Sequence, residues 1–89
     1  MKTVRLTIKG KVQGVFYRAT AKDMAGELGI KGWVKNLPDK NVEIRATASE
    51  ELLQKFIDWC KLGPPKAKVD DVIVEELDFE RFSDFRIIR

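Results

Sequence analysis

Residues 30–63, IKGWVKNLPDKNVEIRATASEELLQKFIDWCKLG, contain two strand patterns, a turn and a helix pattern in succession. Apolar and polar side chains alternate over Val42–Thr47, which is the two-residue period of a strand with one buried face. The apolar-rich segment Ile30–Asn36 comes before it, and the turn at 37–41 predicts a β-hairpin. Ser49 is a good N-cap for the amphipathic helix that follows. This stretch therefore predicts the order β-β-α.

The flanking segments complete the pattern. Before the hairpin, Val4–Lys9 alternates as a strand, Gly10–Gly14 is predicted to be a loop, and Ala19–Leu28 has helical spacing. After the second helix, Val69–Phe79 predicts a long strand, and Phe85–Arg89 is compatible with a short extra one. The order β-α-β-β-α-β predicts a ferredoxin-like α+β fold, an antiparallel sheet with two helices on one face. Because this fold hosts many functions, the function has to come from a site.

The composition excludes several kinds of chemistry. The chain has 89 residues, a length that predicts a single domain over residues 1–89, and its net charge of +3 suits an anionic ligand without requiring a nucleic acid. It has no histidine and one cysteine, Cys60, so we expect no disulfide, no metal site and no histidine base. No apolar run approaches the ~18 residues of a membrane span and no signal peptide is evident, so the expected location is cytoplasmic.

The first loop carries the densest chemical signal, Gly10-Lys11-Val12-Gln13-Gly14-Val15-Phe16-Tyr17-Arg18. It joins a strand to a helix, and the unpaired N–H groups at a helix start favour an anion. Gly14 allows successive amides to face inward, and Arg18 offers a planar fork of donors that matches phosphate oxygens. The loop is not a Walker A motif, because the Gly-Lys-Ser/Thr ending is missing. Glycine is also common in ordinary strand-to-helix loops, and an arginine there can be a solvated surface residue.

Two further residues, Asn36 and Tyr17, are each open to two interpretations. Asn36 closes a strand before a turn, where asparagine is a common turn residue, but its amide can also hold a water or a substrate oxygen. It can orient such a group without deprotonating it. Tyr17 belongs either to the core or to the site. Cys60 lies on the apolar face of the second helix, so we expect a buried, inert thiol.

Three stretches resemble the acylphosphatase family. Residues 10–18 resemble its first signature, and Gly32-Trp33-Val34-Lys35-Asn36, followed by Asp39 and Val42-Glu43, resembles its second. Gly63-Pro64-Pro65-x-Ala67-x-Val69 resembles a further stretch common in the family. The likeness spans nearly the whole chain, in order and at the length of the family.

Two positions depart from the second signature. Lys40 and Ala48 stand where the family usually has glycine. If that glycine marks a positive φ, Lys40 is strained or the turn is rebuilt with Asn41 in the left-handed position. These departures concern the turn rather than the chemistry.

The resemblance implies hydrolysis of the carboxyl–phosphate bond of small acyl phosphates to a carboxylate and inorganic phosphate. Arg18 corresponds to the family's phosphate-binding catalytic arginine, and Asn36 to the asparagine that positions the attacking water. The backbone amides of the phosphate-binding loop are those of Gln13, Gly14, Val15, Phe16, Tyr17 and Arg18. The resemblance also implies a monomer. Because the loop amides and Arg18 converge on a helix N-terminus, we expect phosphate or sulfate to bind there and compete, and the residues present lead us to expect no metal and no cofactor.

Two other functions stay open. Ferredoxin-like sheets also bind RNA through exposed aromatic side chains, but the aromatic residues here concentrate in the first loop and near the C-terminus. The domain could instead be an inactive regulatory or carrier module, against which the presence of both Arg18 and Asn36 argues. Acyl phosphate hydrolysis in the presence of a chelator distinguishes the enzyme from both.

Overall fold

Seven regular elements make up the computed structural model, which describes residues 1–89: β1 (Lys2–Lys11), α1 (Tyr17–Leu28), β2 (Lys31–Asn36), β3 (Val42–Ala48), α2 (Glu50–Leu62), β4 (Lys68–Leu77) and β5 (Phe85–Ile88). The strands form one sheet in the order β4-β1-β3-β2-β5. β1 pairs antiparallel with β3 and β4, and β2 pairs antiparallel with β3. β5 adds to β2 in the parallel direction. The predicted ferredoxin-like fold is therefore confirmed, with the short C-terminal strand extending one edge.

The core lies between the sheet and the two helices, which also contact each other. β1 contributes alternate side chains such as Leu6 and Ile8, as its sequence period predicts. α2 contributes bulky side chains, and its Phe56 ring meets Phe85 of β5 edge to face at 6.0 Å between centroids. No helix is long and apolar enough to cross a bilayer.

The sequence predicts a loop over Gly10–Gly14, but its first two residues belong to β1. β1 continues through Lys11, because β4 extends the pairing past a bulge between Lys9 and Gly10. A Cβ on Gly10 would lie 2.2 Å from the carbonyl oxygen of Lys68, so only glycine permits this close approach. The helix also starts at Tyr17, two residues before the predicted Ala19. The connection that carries the candidate site is thus short, residues 12–16.

β4 ends at Leu77 rather than at the predicted Phe79, because the chain there leaves the edge of the sheet. It must cross to β5 at the opposite edge, and two threonines on β1 and β3 hold it on the way. Thr47 Oγ1 donates to the Glu80 carbonyl at 2.7 Å, and the Glu80 N–H donates to Thr3 Oγ1 at 2.8 Å. These two hydrogen bonds hold the segment just before β5 and help to place β5 beside β2.

The β2–β3 turn keeps a left-handed residue at its end. Lys40 has φ +75°, whereas Asn41 is not among the residues with positive φ, so the alternative that Asn41 takes the left-handed position is wrong. The Lys40 N–H donates to the Leu37 carbonyl at 3.1 Å, and the Asn41 N–H donates to Asp39 Oδ1 at 3.1 Å. Lysine therefore adopts a conformation that costs an L residue about 1 kcal/mol.

Lys40→Gly is expected to leave stability unchanged or to raise it by at most about 1 kcal/mol. Relief of the left-handed strain opposes the greater entropy of glycine in the unfolded chain. The measurement is the urea midpoint at constant m-value. Lys22→Gly in the middle of α1 is the matched control, and it should cost about 1 kcal/mol. A clear fall in the midpoint of Lys40→Gly would contradict the assignment of strain.

Candidate active site

A cavity of about 350 Å³ lies where the first loop, the start of α1, the end of β2 and β5 meet. Its walls are Val12, Gly14, Phe16, Tyr17, Arg18, Ala19, Asn36, Ile87 and Arg89. The structure thus brings Arg18 and Asn36, 18 residues apart in sequence, to the same cavity. The charged side chains among its wall residues are Arg18 and Arg89, so the cavity favours an anion.

The loop backbone turns left-handed twice before the helix. Gly14 has φ +73° and Phe16 has φ +65°. For a phenylalanine this conformation costs about 1–3 kcal/mol, and such strain concentrates at functional sites. Phe16 is also the N-cap of α1, and its side chain makes no capping hydrogen bond. The first amides of α1 therefore have no side-chain acceptor, and no acidic residue occupies the first turn.

Arg18 and Asn36 have side chains that are free to bind a ligand. Arg18 is half-buried in the first turn of α1, and the ion pairs and side-chain hydrogen bonds of the structure do not involve it. Asn36 is half-buried at the end of β2, and its amide makes no hydrogen bond to another protein group. A guanidinium fork and a carboxamide are therefore both exposed to the cavity without a competing partner.

Gln13 links the loop to the β2–β3 turn. Its Nε2 donates to the Leu37 carbonyl at 2.9 Å and to the Asn41 carbonyl at 2.8 Å. Leu37 follows Asn36 directly, so this clamp fixes the loop relative to the candidate water-positioning residue. The sequence predicts only a backbone role for Gln13. Its side-chain role was missed because both acceptors are backbone carbonyls, which no sequence pattern reveals.

Tyr17 is a core residue that also lines the cavity. It is 1% exposed, and its hydroxyl donates to the Cys60 carbonyl at 2.8 Å. Burial raises the pKa of the Tyr17 phenol, so the hydroxyl stays protonated. Burial also raises the pKa of the Cys60 thiol to about 12, which confirms that this cysteine is a buried, inert side chain.

Two of the predicted loop residues do not line the cavity, and two of its wall residues come from the C-terminal segment. Val15 is buried in the core, and neither Val15 nor Gln13 lines the cavity. Ile87 and Arg89 do line it, although the sequence placed no site residue in the last strand. Only the parallel pairing of β5 with β2 brings them there, and hydropathy patterns do not specify strand order.

No wall residue of the cavity has a carboxylate or an imidazole in its side chain. Nowhere in the structure do three or more His, Cys, Asp or Glu side chains group in a way that could hold a metal ion. The walls can therefore bind and orient an anion and a water, but they contain no conventional general base.

The sequence profile of the family described as Acylphosphatase matches residues 4–87. The chain belongs to the acylphosphatase family. An acylphosphatase from Methylococcus capsulatus is 43% identical over 90 residues, which cover 100% of this chain and 98% of that protein. An acylphosphatase from Marinobacter nauticus is 49% identical over 82 residues, covering 91% of this chain and 89% of the relative.

Acylphosphatases of known structure share the whole fold. The crystal structure of acylphosphatase from Bacillus subtilis superposes with a TM-score of 0.96 at 38% identity, and the match covers 100% of both chains. The resemblance seen in the sequence is thereby confirmed. The chain is an acylphosphatase, an enzyme that hydrolyses small acyl phosphates.

Proposed function

We propose that this acylphosphatase cleaves the carboxyl–phosphate bond by direct attack of water within the cavity described above. Arg18 and the backbone amides of residues 13–18 bind the phosphoryl group, and Asn36 positions the attacking water. Gly14, Phe16, Tyr17 and Arg18 line the cavity, and Gln13 and Val15 adjoin them on the same loop. The observation that carries the proposal is the meeting of Arg18, Asn36 and the strained loop at one cavity, with both side chains uncommitted.

These groups match what phosphoryl transfer demands. Its transition state is loose, so catalysis depends on positioning and on stabilising the charge of the equatorial oxygens. The guanidinium fork of Arg18 and the amides at the start of α1 supply that stabilisation. The leaving group is a carboxylate, which departs without a strong general acid. Neither a histidine nor a covalent nucleophile is required.

The proposed step balances without a side-chain base. The water oxygen forms a bond to phosphorus while the bond between phosphorus and the acyl oxygen breaks. The carboxylate leaves with the electron pair of that bond. A proton from the water passes to an oxygen of the transferred phosphoryl group, so the products are a carboxylate and inorganic phosphate.

The proposal extends to competing ligands and to the state of the enzyme. Inorganic phosphate or sulfate should occupy the phosphoryl position and inhibit competitively, since each presents the same tetrahedral oxygens. The cavity is built from one chain, which supports a monomer formed by residues 1–89 as a single domain. The free, buried thiol of Cys60 fits a cytoplasmic enzyme.

Hydrolysis in the presence of a chelator tests this mechanism. With acetyl phosphate as substrate, the initial rate in EDTA should equal the rate without it, because arginine, amides and one asparagine supply the chemistry. The rate is measured by disappearance of acetyl phosphate against an enzyme-free blank. Loss of activity on chelation that a divalent cation restores would overturn the mechanism.

A further inference from the structure

A second depression, of about 430 Å³, adjoins the candidate active cavity on the other side of the first loop. Its walls are Gly10, Lys11, Val12, Gln13, Gly14 and Lys40, and we call it the lysine basin. Val12 and Gly14 line both cavities. A Cβ built on Gly14 would meet nothing within 4 Å, so the space beside this shared wall is open.

The lysine basin has an uncompensated positive charge. The charged residues that line it are Lys11 and Lys40, and no acidic residue lines it. Both lysines are exposed, and neither forms an ion pair, whereas Lys2 and Lys55 each contact a glutamate. Two unpaired cations beside one depression create an attraction for an anion that salt weakens.

Lys40 is held in a fixed relation to the phosphoryl-binding loop. It has φ +75°, a conformation in which glycine would be free of strain. The turn that bears it is clamped to the loop, because Gln13 donates to the Leu37 and Asn41 carbonyls on either side of Lys40. The clamp therefore holds the backbone of Lys40 beside the loop despite a geometry that disfavours lysine.

We propose that the lysine basin binds a carboxylate carried by the acyl chain of the substrate, so that the enzyme prefers acyl phosphates with an anionic acyl group. The inference rests on the proposed function, which places the phosphoryl group in the adjoining cavity. From there the acyl chain passes over Gly14, where no side chain blocks it, and its carboxylate meets Lys11 and Lys40. Because both ammonium groups are exposed, the preference is on the order of 10-fold.

The test compares two isosteric substrates, 4-carboxybenzoyl phosphate and 4-carbamoylbenzoyl phosphate, together with their 3-substituted isomers. The two members of each pair differ in charge at one position and hardly in shape. The ratio of kcat/KM for the carboxylate over the carboxamide should be on the order of 10 for at least one isomer in the native enzyme at low salt. In Lys11→Ala/Lys40→Gly it should fall to about 1, mainly through KM.

Two controls separate the basin from general effects of charge. Lys31→Ala/Lys61→Ala removes the same net charge from residues outside both cavities and should keep the native ratio. Acetyl phosphate, which has no second anionic group, should keep its kcat/KM in the basin variant. The Lys40→Gly turn is expected to be at least as stable as the native one, and a urea midpoint verifies folding.

Three results would overturn the inference: a native ratio near 1 for both isomers, a ratio that survives in the basin variant, or an equal fall in the control variant. Failure of the proposed function is a distinct outcome. It would appear as full acetyl phosphate activity in Arg18→Ala, whatever the ratio of the paired substrates.

Discussion

Arg18→Ala is expected to lower kcat/KM for acetyl phosphate by on the order of 10³-fold or more. Arg18 is the charged residue at the start of α1 in the cavity. In the proposed mechanism it contacts the phosphoryl group in both the substrate and the transition state. The loss should therefore appear as a higher KM and a lower kcat together. Steady-state kinetics measures both, and weaker competitive inhibition by phosphate should accompany them.

Two variants make the Arg18 experiment specific. Arg81→Ala removes an exposed arginine outside the cavity and should retain native kinetics. Arg18→Lys keeps the charge but loses the planar fork, so it should recover only part of the activity. If Arg18→Ala keeps native kinetics, Arg18 is only a solvated surface residue and the proposed mechanism is wrong.

Asn36→Ala is expected to lower kcat by on the order of 10²-fold or more, while the inhibition constant of phosphate stays nearly unchanged. In the proposed mechanism Asn36 positions the attacking water, and this contact would contribute mainly once attack begins. The fold should survive, because the half-buried side chain has no hydrogen-bond partner to lose. Steady-state kinetics, phosphate inhibition and circular dichroism together test the assignment.

Asn41→Ala is the matched control for this second variant. Asn41 lies in the same turn, and its side chain donates to Asp39 Oδ2 at 3.2 Å outside the cavity. It should retain native turnover, since its backbone carbonyl still accepts from Gln13. If Asn36→Ala keeps native turnover, Asn36 is only a turn residue. If it unfolds the protein, the role of Asn36 is structural.

Local patterns were sufficient to predict the elements of the fold. The alternation in Val4–Lys9 and Val42–Thr47 identifies strands because the sheet buries one face, and Ser49 caps α2 as expected, accepting from the Leu52 N–H at 3.3 Å. The element ends were less predictable. β1 outlasts its alternation because β4 pairs with it, and β4 stops early because Thr3 and Thr47 hold the crossing segment.

The candidate site was predictable only in part, for a related reason. The loop motif and Asn36 can be predicted from sequence because both belong to stretches that resemble the acylphosphatase family. The Gln13 clamp and the two wall residues Ile87, in β5, and Arg89, just after it, depend on which segments become neighbours in space. The sequence leaves the role of Tyr17 open because its hydroxyl donates to a backbone carbonyl on α2, and the sequence does not show which backbone carbonyl will accept a hydrogen bond.

The order of the strands has a consequence for how catalysis returns after unfolding. Arg18 follows β1 and Asn36 ends β2, but β3 lies between these two strands in the sheet. Arg18 and Asn36 stay apart after the local β2–β3 hairpin has formed, until β1 joins β3. That pairing matches Lys2 with Ala48, which are separated by about half the length of the chain. Such distant contacts close slowly, since the entropy of the intervening loop opposes them. We therefore expect activity to return late in refolding, when the central pair of strands β1 and β3 closes.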